Sequence, residues 1–284
     1  MKGLVITPLC PLMTAPRPDC ELADEALFGM TVEVLEQTTE EYWRVRTPYR
    51  YEGYAPRACL LADDGAAAAW DALPKRVVLH KNTCDVMTAP KVQSWPLVSV
   101  TMGATVAVTA PAETDPESGK ETGWQKVTLP DGREGYVRAS WLDTFYDRPI
   151  DLPEGELRRR LVETAMRYRR THYRWGGKSP LGIDCSGLVS MAYLLNGIVI
   201  YRDAHIKEEF DLVEISREQL DVGDLLYFPG HVAMYMGNGE YLHSTGRAGS
   251  DGFDINSLDP ASPVYREDLA RGITQLGSYR GFHR

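Results

Sequence analysis

Short runs in which apolar and polar residues nearly alternate fill the first half of the chain. Such runs, rich in β-branched and aromatic residues, occupy positions 31–35, 42–45, 104–108 and 124–127. Alternation of this kind predicts β-strands with one buried face. Several short strands separated by turn signals are typical of a small β-barrel or sandwich, which is the fold that we expect for this half.

The second half changes to helical spacing and then returns to strands. Leu157, Leu161, Ala165 and Tyr168 recur at helical intervals and predict an amphipathic helix of about four turns over residues 154–170. A second helix is predicted over residues 184–197, where an aspartate can cap the start and a glycine can end it. Residues 221–228 indicate a turn that leads into a strand, and residues 231–243 indicate a hairpin around an Asn-Gly turn.

A duplication organises the first half. The segment C-P-L-M-T-A-P-R at residues 10–17 recurs as C-D-V-M-T-A-P-K at residues 84–91. A second echo relates E-G-Y at residues 52–54 to E-G-Y at residues 134–136. The two copies of this second motif lie further apart in the sequence than the two copies of the first. The difference fits a longer hairpin loop in the second half of the duplication, at residues 114–120. We therefore predict two barrels, at residues 1–65 and 73–147, joined near residues 66–74, and a third domain at residues 150–284.

Composition and charge exclude several classes of protein. The 284 residues are 43% hydrophobic and 25% charged, which indicates a globular chain rather than a disordered or fibrous one. The net charge is −9, and both halves are acidic, so we expect no nucleic-acid partner and no binding to anionic membranes. Prolines interrupt the apolar stretch at the start, which argues against a secretory signal, and no run is long enough to span a membrane.

The five cysteines are odd in number and scattered, without a C-x-x-C pair. This usage argues against a disulfide framework and a zinc ribbon and favours a reducing compartment. No glycine-rich phosphate loop and no metal-ligand spacing occurs, so no cofactor and no metal are expected. We expect a cytoplasmic protein, with an extracellular location as the second choice, and a monomer.

Cys185 is the candidate nucleophile. It follows the predicted cap Asp184 and lies in the first turn of the predicted helix. Unpaired N–H groups and the positive end of the helix dipole favour a thiolate at that position. A cysteine near a helix start is more often an inert packing residue, so this position alone does not decide between the two interpretations.

Two histidines in the predicted hairpin strengthen the catalytic interpretation. Centring the turn on Asn238 and Gly239 places residue 246 opposite His231, with His243 near the same end. The two rings can then face one another at an edge where a helix-borne cysteine can dock. A thiol, a histidine that takes its proton and a second polar residue that orients this histidine together form a nucleophilic triad.

Residues 173–187, read as Y-R-W-G-G followed by D-C-S-G, precede V-G-D-L-L-Y-F, H-V-A-M-Y-M-G and Y-L-H-S. This series closely resembles the NlpC-type cysteine peptidases of bacterial cell-wall metabolism, and the Gly-aromatic motifs of the first half resemble bacterial SH3-like barrels. The resemblance implies a multidomain protein in which two all-β SH3-like barrels precede a papain-like α+β cysteine peptidase domain. It makes Cys185 the nucleophile, His231 the general base and acid, and His243 the residue that orients His231.

The domain arrangement resembles the γ-D-glutamyl-L-diamino-acid endopeptidases of the dipeptidyl-peptidase VI type. The resemblance implies cleavage after D-glutamate in murein peptides with a free N-terminal L-alanine, which releases L-Ala-γ-D-Glu during murein recycling. Carried over by position, the residues that contact or line the substrate are Asp184, Ser186, Tyr173, Trp175, Tyr51 and Glu21. Glu21 is the candidate for holding the substrate amine, although Asp24 and Glu25 lie close to it.

Three alternatives stay open from the sequence. The protein could be a secreted murein endopeptidase that its SH3-like domains anchor to the wall, or a non-catalytic module that binds murein fragments. An enzyme of the same kind could also transfer the acyl group to an amine or alcohol instead of water. A small murein peptide is the expected partner of the recycling peptidase.

Overall fold

A computed structural model of the chain describes residues 1–283, which divide into two compact units. The N-terminal unit, Met1–Phe145, contains two seven-stranded antiparallel sheets. The strands of the first sheet are β1 (Lys2–Val5), β2 (Leu9–Met13), β3 (Leu22–Leu27), β4 (Thr31–Glu36), β5 (Tyr42–Arg46), β6 (Glu52–Pro56) and β7 (Leu60–Ala62). A helix, α1 (Asp64–Asp71), follows. The strands of the second sheet are β8 (Lys75–Val78), β9 (Thr83–Met87), β10 (Pro96–Thr101), β11 (Thr105–Ala107), β12 (Trp124–Thr128), β13 (Glu134–Arg138) and β14 (Leu142–Thr144).

The two sheets repeat one strand order. The first runs β3-β2-β6-β5-β4-β1-β7, and the second runs β10-β9-β13-β12-β11-β8-β14, which is the same order with seven added to each label. The repeated glycines follow from the packing, since an added Cβ at Gly53 would lie 2.9 Å from Leu12 Cβ and one at Gly135 would lie 2.7 Å from Val86 Cγ1. The duplication predicted from the repeated sequence motifs is thus present in the strand order.

The segment predicted to join the two halves of the duplication, residues 66–74, overlaps α1. The Asp63 carboxylate accepts a hydrogen bond from the Ala66 N–H and caps the helix start. Trp70, almost fully buried, donates from its indole nitrogen to the Gly29 carbonyl over 2.9 Å. Phe28 belongs to the apolar core of the second sheet, so the two sheets are linked by side chains as well as by the helix.

The C-terminal unit begins at Tyr146 and combines helices with a six-stranded antiparallel sheet. Its elements are α2 (Glu154–Met166), β15 (Lys178–Ser179), β16 (Gly182–Ile183), α3 (Cys185–Leu194), β17 (Leu212–Glu214), β18 (Leu225–Phe228), β19 (His231–Gly237), β20 (Glu240–Thr245), β21 (Gly252–Ser257), α4 (Glu267–Ala270) and β22 (Gln275–Tyr279). The sheet order is β17-β22-β18-β19-β20-β21, and β15 pairs with β16 separately. Short 3-10 helices occupy Arg57–Cys59, Ala139–Trp141, Arg217–Gln219 and Arg280–His283.

Helix α3 lies at the centre of this unit. Every residue from Cys185 to Tyr193 is buried, as expected for a helix that is apolar on nearly all sides. Tyr193 donates to the Gly223 carbonyl over 2.8 Å and fixes the helix beside the start of β18. Helix α2 ends at Met166, four residues before the predicted end. Its Arg158 binds the fully buried Asp224 over 2.9 Å.

Within residues 1–283, no helix is both long enough and apolar enough to cross a membrane.

Candidate active site

Cys185 is the first residue of α3, as the sequence predicts. Asp184 is the N-cap, with a carboxylate that accepts from the Gly187 N–H over 2.6 Å. The backbone N–H of Val232, the residue after His231, faces the Cys185 sulfur and favours its anion, as does the Ser186 N–H. Helix α3 therefore holds the thiol against the start of β19.

Burial outweighs the helix start in setting the protonation of Cys185. The thiol is enclosed, and desolvation raises its pKa to about 11, with the nearby Asp184 carboxylate adding to the rise. Burial therefore outweighs the preference for a thiolate that the helix start provides. The helix dipole and the backbone N–H groups act in the predicted direction. The free-energy penalty of removing a negative charge from water is larger than the stabilisation that they provide.

The two histidines meet as predicted, although by a different register. His231 Nε2 and His243 Nδ1 lie 2.7 Å apart, and His243 is fully buried. Burial lowers the pKa of His231 to about 3, with His243 as the next cause, and burial lowers the pKa of His243 as well. Both shifts favour neutral imidazoles near pH 7, which is the form of histidine that can accept a proton.

A β-bulge corrects the predicted register. The pair Gly237 and Glu240 flanks the turn, but the next pairs are Tyr235 with Tyr241 and Met234 with Leu242, so Met236 is left unpaired. Continuing this ladder places residue 245 opposite His231, instead of the predicted 246. The difference matters because a shift of one residue moves a side chain to the other face of a sheet. With the bulge, both histidine side chains lie on the same face.

Asn256 is a site residue that the sequence reasoning missed. It lies on β21, and its Oδ1 is 2.8 Å from His243 Nε2. Residues 252–257 pair with β20 along their whole length, which brings Asn256 beside His243. The alternation F-D-I-N at residues 253–256 was the available signal for a strand.

Ser244 connects the strand that carries His243 to the segment that carries Cys185. Its fully buried hydroxyl donates to the Ile183 carbonyl over 2.7 Å. The bond joins the residue after His243 to the residue two positions before Cys185. It helps to fix the relative positions of thiol and imidazole, which nucleophilic catalysis requires.

Asp184 is bound within the protein rather than free. Its Oδ1 accepts from the Gly187 N–H, from Ser186 Oγ and from Arg202 Nη1, and its Oδ2 accepts from the Gly176 N–H and from Arg202 Nη2. Arg202 also donates to Ser186 Oγ over 2.7 Å. Arg202 had no local signal in the sequence, since it lies on an irregular segment after α3.

Two further predicted pocket residues differ in exposure. Tyr173 is half-buried, and burial followed by the charges of Cys185 and Asp184 raises the pKa of its hydroxyl. This places the tyrosine beside the nucleophile. Trp175 is 58% exposed, which leaves its ring open to solvent. Their roles in binding substrate stay predictions, as does that of Ser186.

The remaining two predicted residues belong to the N-terminal unit. Tyr51 is partly buried and its backbone N–H donates to Thr47 Oγ1 over 3.0 Å, while Glu21 is an exposed residue just before β3. Nearby Asp24 is fully buried and accepts a 2.5 Å hydrogen bond from the Tyr49 hydroxyl. The roles of Tyr51 and Glu21 stay predictions.

The described part of the chain presents no group of three His, Cys, Asp or Glu side chains arranged to hold a metal ion. All five cysteines are free thiols. The chemistry available at the site is that of one thiol and two neutral imidazoles on adjoining elements. This set can carry a nucleophilic attack with proton transfer through histidine.

Comparisons with known proteins agree with this chemistry. Residues 170–264 match the NlpC/P60 family, and residues 12–60 match the bacterial dipeptidyl-peptidase Sh3 domain. The chain is 42% identical to dipeptidyl-peptidase 6 of Lysinibacillus sphaericus over 278 residues, which cover 98% of this chain and 99% of that protein. It is 34% identical over 127 residues to a gamma-D-glutamyl-L-lysine dipeptidyl-peptidase of Bacillus cereus, which cover 42% of this chain and 37% of that protein.

Among solved structures, the chain is similar to the crystal structure of an NlpC/P60 family protein from Bacillus cereus. The TM-score is 0.77 at 22% identity, and the match covers 98% of this chain and 99% of the other. This similarity shows the fold. An SH3-like domain at the N-terminus thus precedes an NlpC/P60 domain.

Proposed function

The chain belongs to the NlpC/P60 family of cysteine peptidases, and on this premise we propose that it hydrolyses the γ-D-glutamyl bond to a diamino acid in murein peptides with a free N-terminal L-alanine. One observation carries the proposal. A buried thiol at a helix start lies beside the backbone N–H of Val232, the residue after His231, and His231 is hydrogen-bonded to His243, in a chain that is similar over nearly its whole length to a dipeptidyl-peptidase. The products are L-Ala-γ-D-Glu and a peptide or amino acid that begins with the diamino acid.

The reaction begins from a neutral thiol and a neutral imidazole. As the Cys185 sulfur attacks the γ-carbonyl carbon of D-glutamate, its proton passes to His231. The backbone N–H of Cys185, which begins α3 and has no acceptor within the helix, is proposed to stabilise the negative oxygen of the tetrahedral intermediate, since the N–H of Gly187 already donates to Asp184. The carbon–nitrogen bond then breaks as His231 returns the proton to the leaving amine. Water hydrolyses the thioester with His231 as the base, which restores the thiol.

Selection of a free amine requires an acidic partner, because an ammonium group taken into a closed pocket without a counter-charge is very costly. The substrate-binding residues carried over from the family, Asp184 and Ser186 beside the nucleophile together with Tyr173 and Trp175, are proposed to contact the N-terminal part of the substrate. Tyr51 and Glu21 are proposed as substrate contacts on the family resemblance alone. The network around Asp184 supports an ordered carboxylate next to the thiol.

Three points of organisation belong to the same proposal. We propose that the second seven-stranded sheet is a second SH3-like barrel, which its repeated strand order supports, so that the domains span residues 1–65, 73–147 and 150–284. We propose a monomer that works in the cytoplasm on small wall fragments, which the five free thiols and the acidic charge support. Neither nucleic acid nor membrane is a proposed partner.

The test compares two substrates that differ only at the amine. The protein is incubated with L-Ala-γ-D-Glu-diaminopimelate and with the N-acetylmuramoyl form of the same peptide, and the products are identified by mass spectrometry. We expect release of L-Ala-γ-D-Glu from the first substrate and little from the second. Equal cleavage of both would refute the free-amine requirement, and no cleavage of either would refute the activity.

Cys185→Ala supplies the control for the nucleophile. The variant keeps the volume of the helix start nearly unchanged, so we expect a native circular dichroism spectrum and no turnover. Activity near that of the wild type would show that another group attacks the substrate.

A further inference from the structure

We propose that Asn256 is a positioning residue that sets the tautomers of His243 and His231, so that the nitrogen of His231 facing the nucleophile is free to accept a proton. The inference rests on the proposed function, because it assigns a role within the same site. Its core is a row of three side chains on one face of the sheet: His231 on β19, His243 on β20 and Asn256 on β21.

The sheet register brings these side chains together. Asn256 pairs with Tyr241 and Asp254 pairs with His243, so Asn256 and His243 are diagonal neighbours that point to the same side. The continued ladder between β19 and β20 gives His231 and His243 the same diagonal relation. The row therefore crosses three adjacent strands, with 2.7 Å between the two imidazoles and 2.8 Å between His243 and the amide of Asn256.

The carbonyl of Val264 fixes the orientation of the Asn256 amide. Asn256 Nδ2 lies 3.2 Å from this carbonyl oxygen, which can only accept a hydrogen bond. The amide nitrogen must therefore face Val264, and the amide oxygen must face His243 Nε2. The same carbonyl accepts from the Ser257 N–H over 3.1 Å, so it is held in place from the neighbouring residue. Asn256 is buried, which leaves its amide little freedom to turn over.

The orientation propagates through both rings. Because Asn256 Oδ1 accepts, His243 Nε2 carries the hydrogen, and the neutral ring then has a bare Nδ1. That nitrogen accepts from His231 Nε2, which must carry the hydrogen of the second ring. His231 Nδ1 is left bare, and it is the remaining nitrogen that can take the thiol proton of Cys185. The neutral amide of Asn256, which contacts His231 only through the ring of His243, thus selects the nitrogen of His231 that acts as the base.

The opposite tautomers would disable the site. If His243 carried its hydrogen on Nδ1, it would donate to His231 Nε2, and the hydrogen of His231 would occupy Nδ1. In that state the thiol proton has no acceptor on His231. Removal of the Asn256 oxygen favours this state, because a buried Nε2–H on His243 would lose its partner and an unpaired buried donor is costly.

The test uses two substitutions of nearly the same size. Asn256→Leu removes the acceptor, whereas Asn256→Asp keeps an oxygen opposite His243 Nε2 and loses only the donor to the Val264 carbonyl. With L-Ala-γ-D-Glu-diaminopimelate at pH 8, we expect kcat of the leucine variant to fall by at least about 100-fold with KM little changed, as happens when a catalytic histidine is held in the wrong tautomer. We expect the aspartate variant to stay within about tenfold of the wild type. Equal losses in both variants, or a leucine variant with wild-type kcat, would overturn the inference.

A direct measurement keeps the inference testable if Asn256→Leu does not fold. Two-bond ¹⁵N–¹H NMR spectra of the wild-type rings at pH 8 distinguish a protonated from a bare ring nitrogen. We expect both His231 and His243 to carry hydrogen on Nε2. A hydrogen on Nδ1 of either ring would overturn the inference even in an active enzyme. If the wild type cleaves no muropeptide, the proposed function fails, while the spectra still decide the tautomers.

Discussion

Both terminal nitrogens of Arg202 donate to the carboxylate of Asp184, the residue directly before Cys185, each over 3.0 Å. The two side chains form a planar, two-point contact that is almost completely enclosed, with the arginine side chain 1% and the aspartate side chain 9% exposed. The start of α3, and with it the thiol, is therefore anchored by a buried ion pair. Any contact of Asp184 with a substrate amine would add to this network instead of using a free carboxylate.

Replacement of Arg202 with methionine is expected to destabilise the C-terminal unit by about 3–5 kcal/mol, because it leaves the Asp184 charge buried without its partner. Chemical denaturation followed by circular dichroism measures the loss. Arg217→Met, at an exposed position in a 3-10 helix, serves as the control and is expected to change stability by less than about 0.5 kcal/mol. Equal stability of both variants would show that the ion pair contributes nothing.

The pKa of His231 predicts how stability depends on pH. Its pKa is near 6.5 in the unfolded chain and about 3 in the folded one, so between these values the unfolded state binds the extra proton. Stability from this group is complete above pH 6.5 and is lost as the pH falls. The loss approaches about 1.4 kcal/mol per pH unit between the two values.

The measurement compares the free energy of unfolding of the wild type and of His231→Gln between pH 7 and pH 4. Because carboxylates titrate in both proteins, the difference between the two curves isolates the histidine. We expect the wild type to lose stability more steeply on acidification. Parallel curves would contradict the lowered pKa of His231.

Local signals in the sequence were enough to predict much of the site. The cap at Asp184, the helix start at Cys185 and the hairpin with its two histidines depend on neighbours within a few residues, and each is present in the structure. The elements that carry Cys185, His231 and His243 could therefore be predicted from the sequence alone, while the roles of these residues stay predictions.

The features that escaped prediction depend on distant parts of the chain. Asn256 acquires its role only when β21 is paired with β20, and Arg202 only when its segment returns to the start of α3. The pKa of Cys185 depends on how completely the surrounding elements exclude water. The position of Cys185 at a helix start favours a thiolate, but the sequence does not show how deeply the thiol is buried.

The first turn of α3 has no room for a side chain at position 187. A Cβ added at Gly187 would lie 2.2 Å from the Gly177 carbonyl oxygen and 2.9 Å from Asp184 Oδ1. Gly187→Ala is therefore expected to cost about 1–3 kcal/mol and to reduce turnover by moving Asp184 and the thiol.

Gly155→Ala is the matched control in α2, where the added carbon meets only the end of the Arg159 side chain at 3.8 Å. It is expected to be neutral or to stabilise by up to about 1 kcal/mol, because alanine reduces the freedom of the unfolded chain. Thermal unfolding and the muropeptide assay measure both variants. The expectation fails if Gly187→Ala matches Gly155→Ala in both.

Cys59 is expected to be a reactive thiol outside the catalytic unit. A hydrogen bond from the Cys10 thiol, with a smaller effect of the Thr7 hydroxyl, lowers its pKa to about 6, although partial burial opposes the shift. Iodoacetamide should therefore modify Cys59 with a midpoint near pH 6, measured by peptide mass spectrometry. In Cys10→Ala the midpoint should move towards 9, because the hydrogen bond is lost. An unchanged midpoint would contradict the pairing of the two thiols. Modification of Cys185 is followed on a different peptide, so that the two reactions are measured separately.

The bulge at Met236 explains how two histidines whose positions differ by an even number can lie on one face of the hairpin. In a regular hairpin with a two-residue turn, two side chains on opposite strands share a face only if their positions differ by an odd number. The numbers of His231 and His243 differ by an even number, so an odd number of residues must be left out of the ladder, and here it is one. Deletion of Met236 would make the difference odd and allow both rings to keep one face of an uninterrupted ladder. The parity of the spacing between two catalytic residues in a hairpin thus indicates whether its ladder contains a bulge.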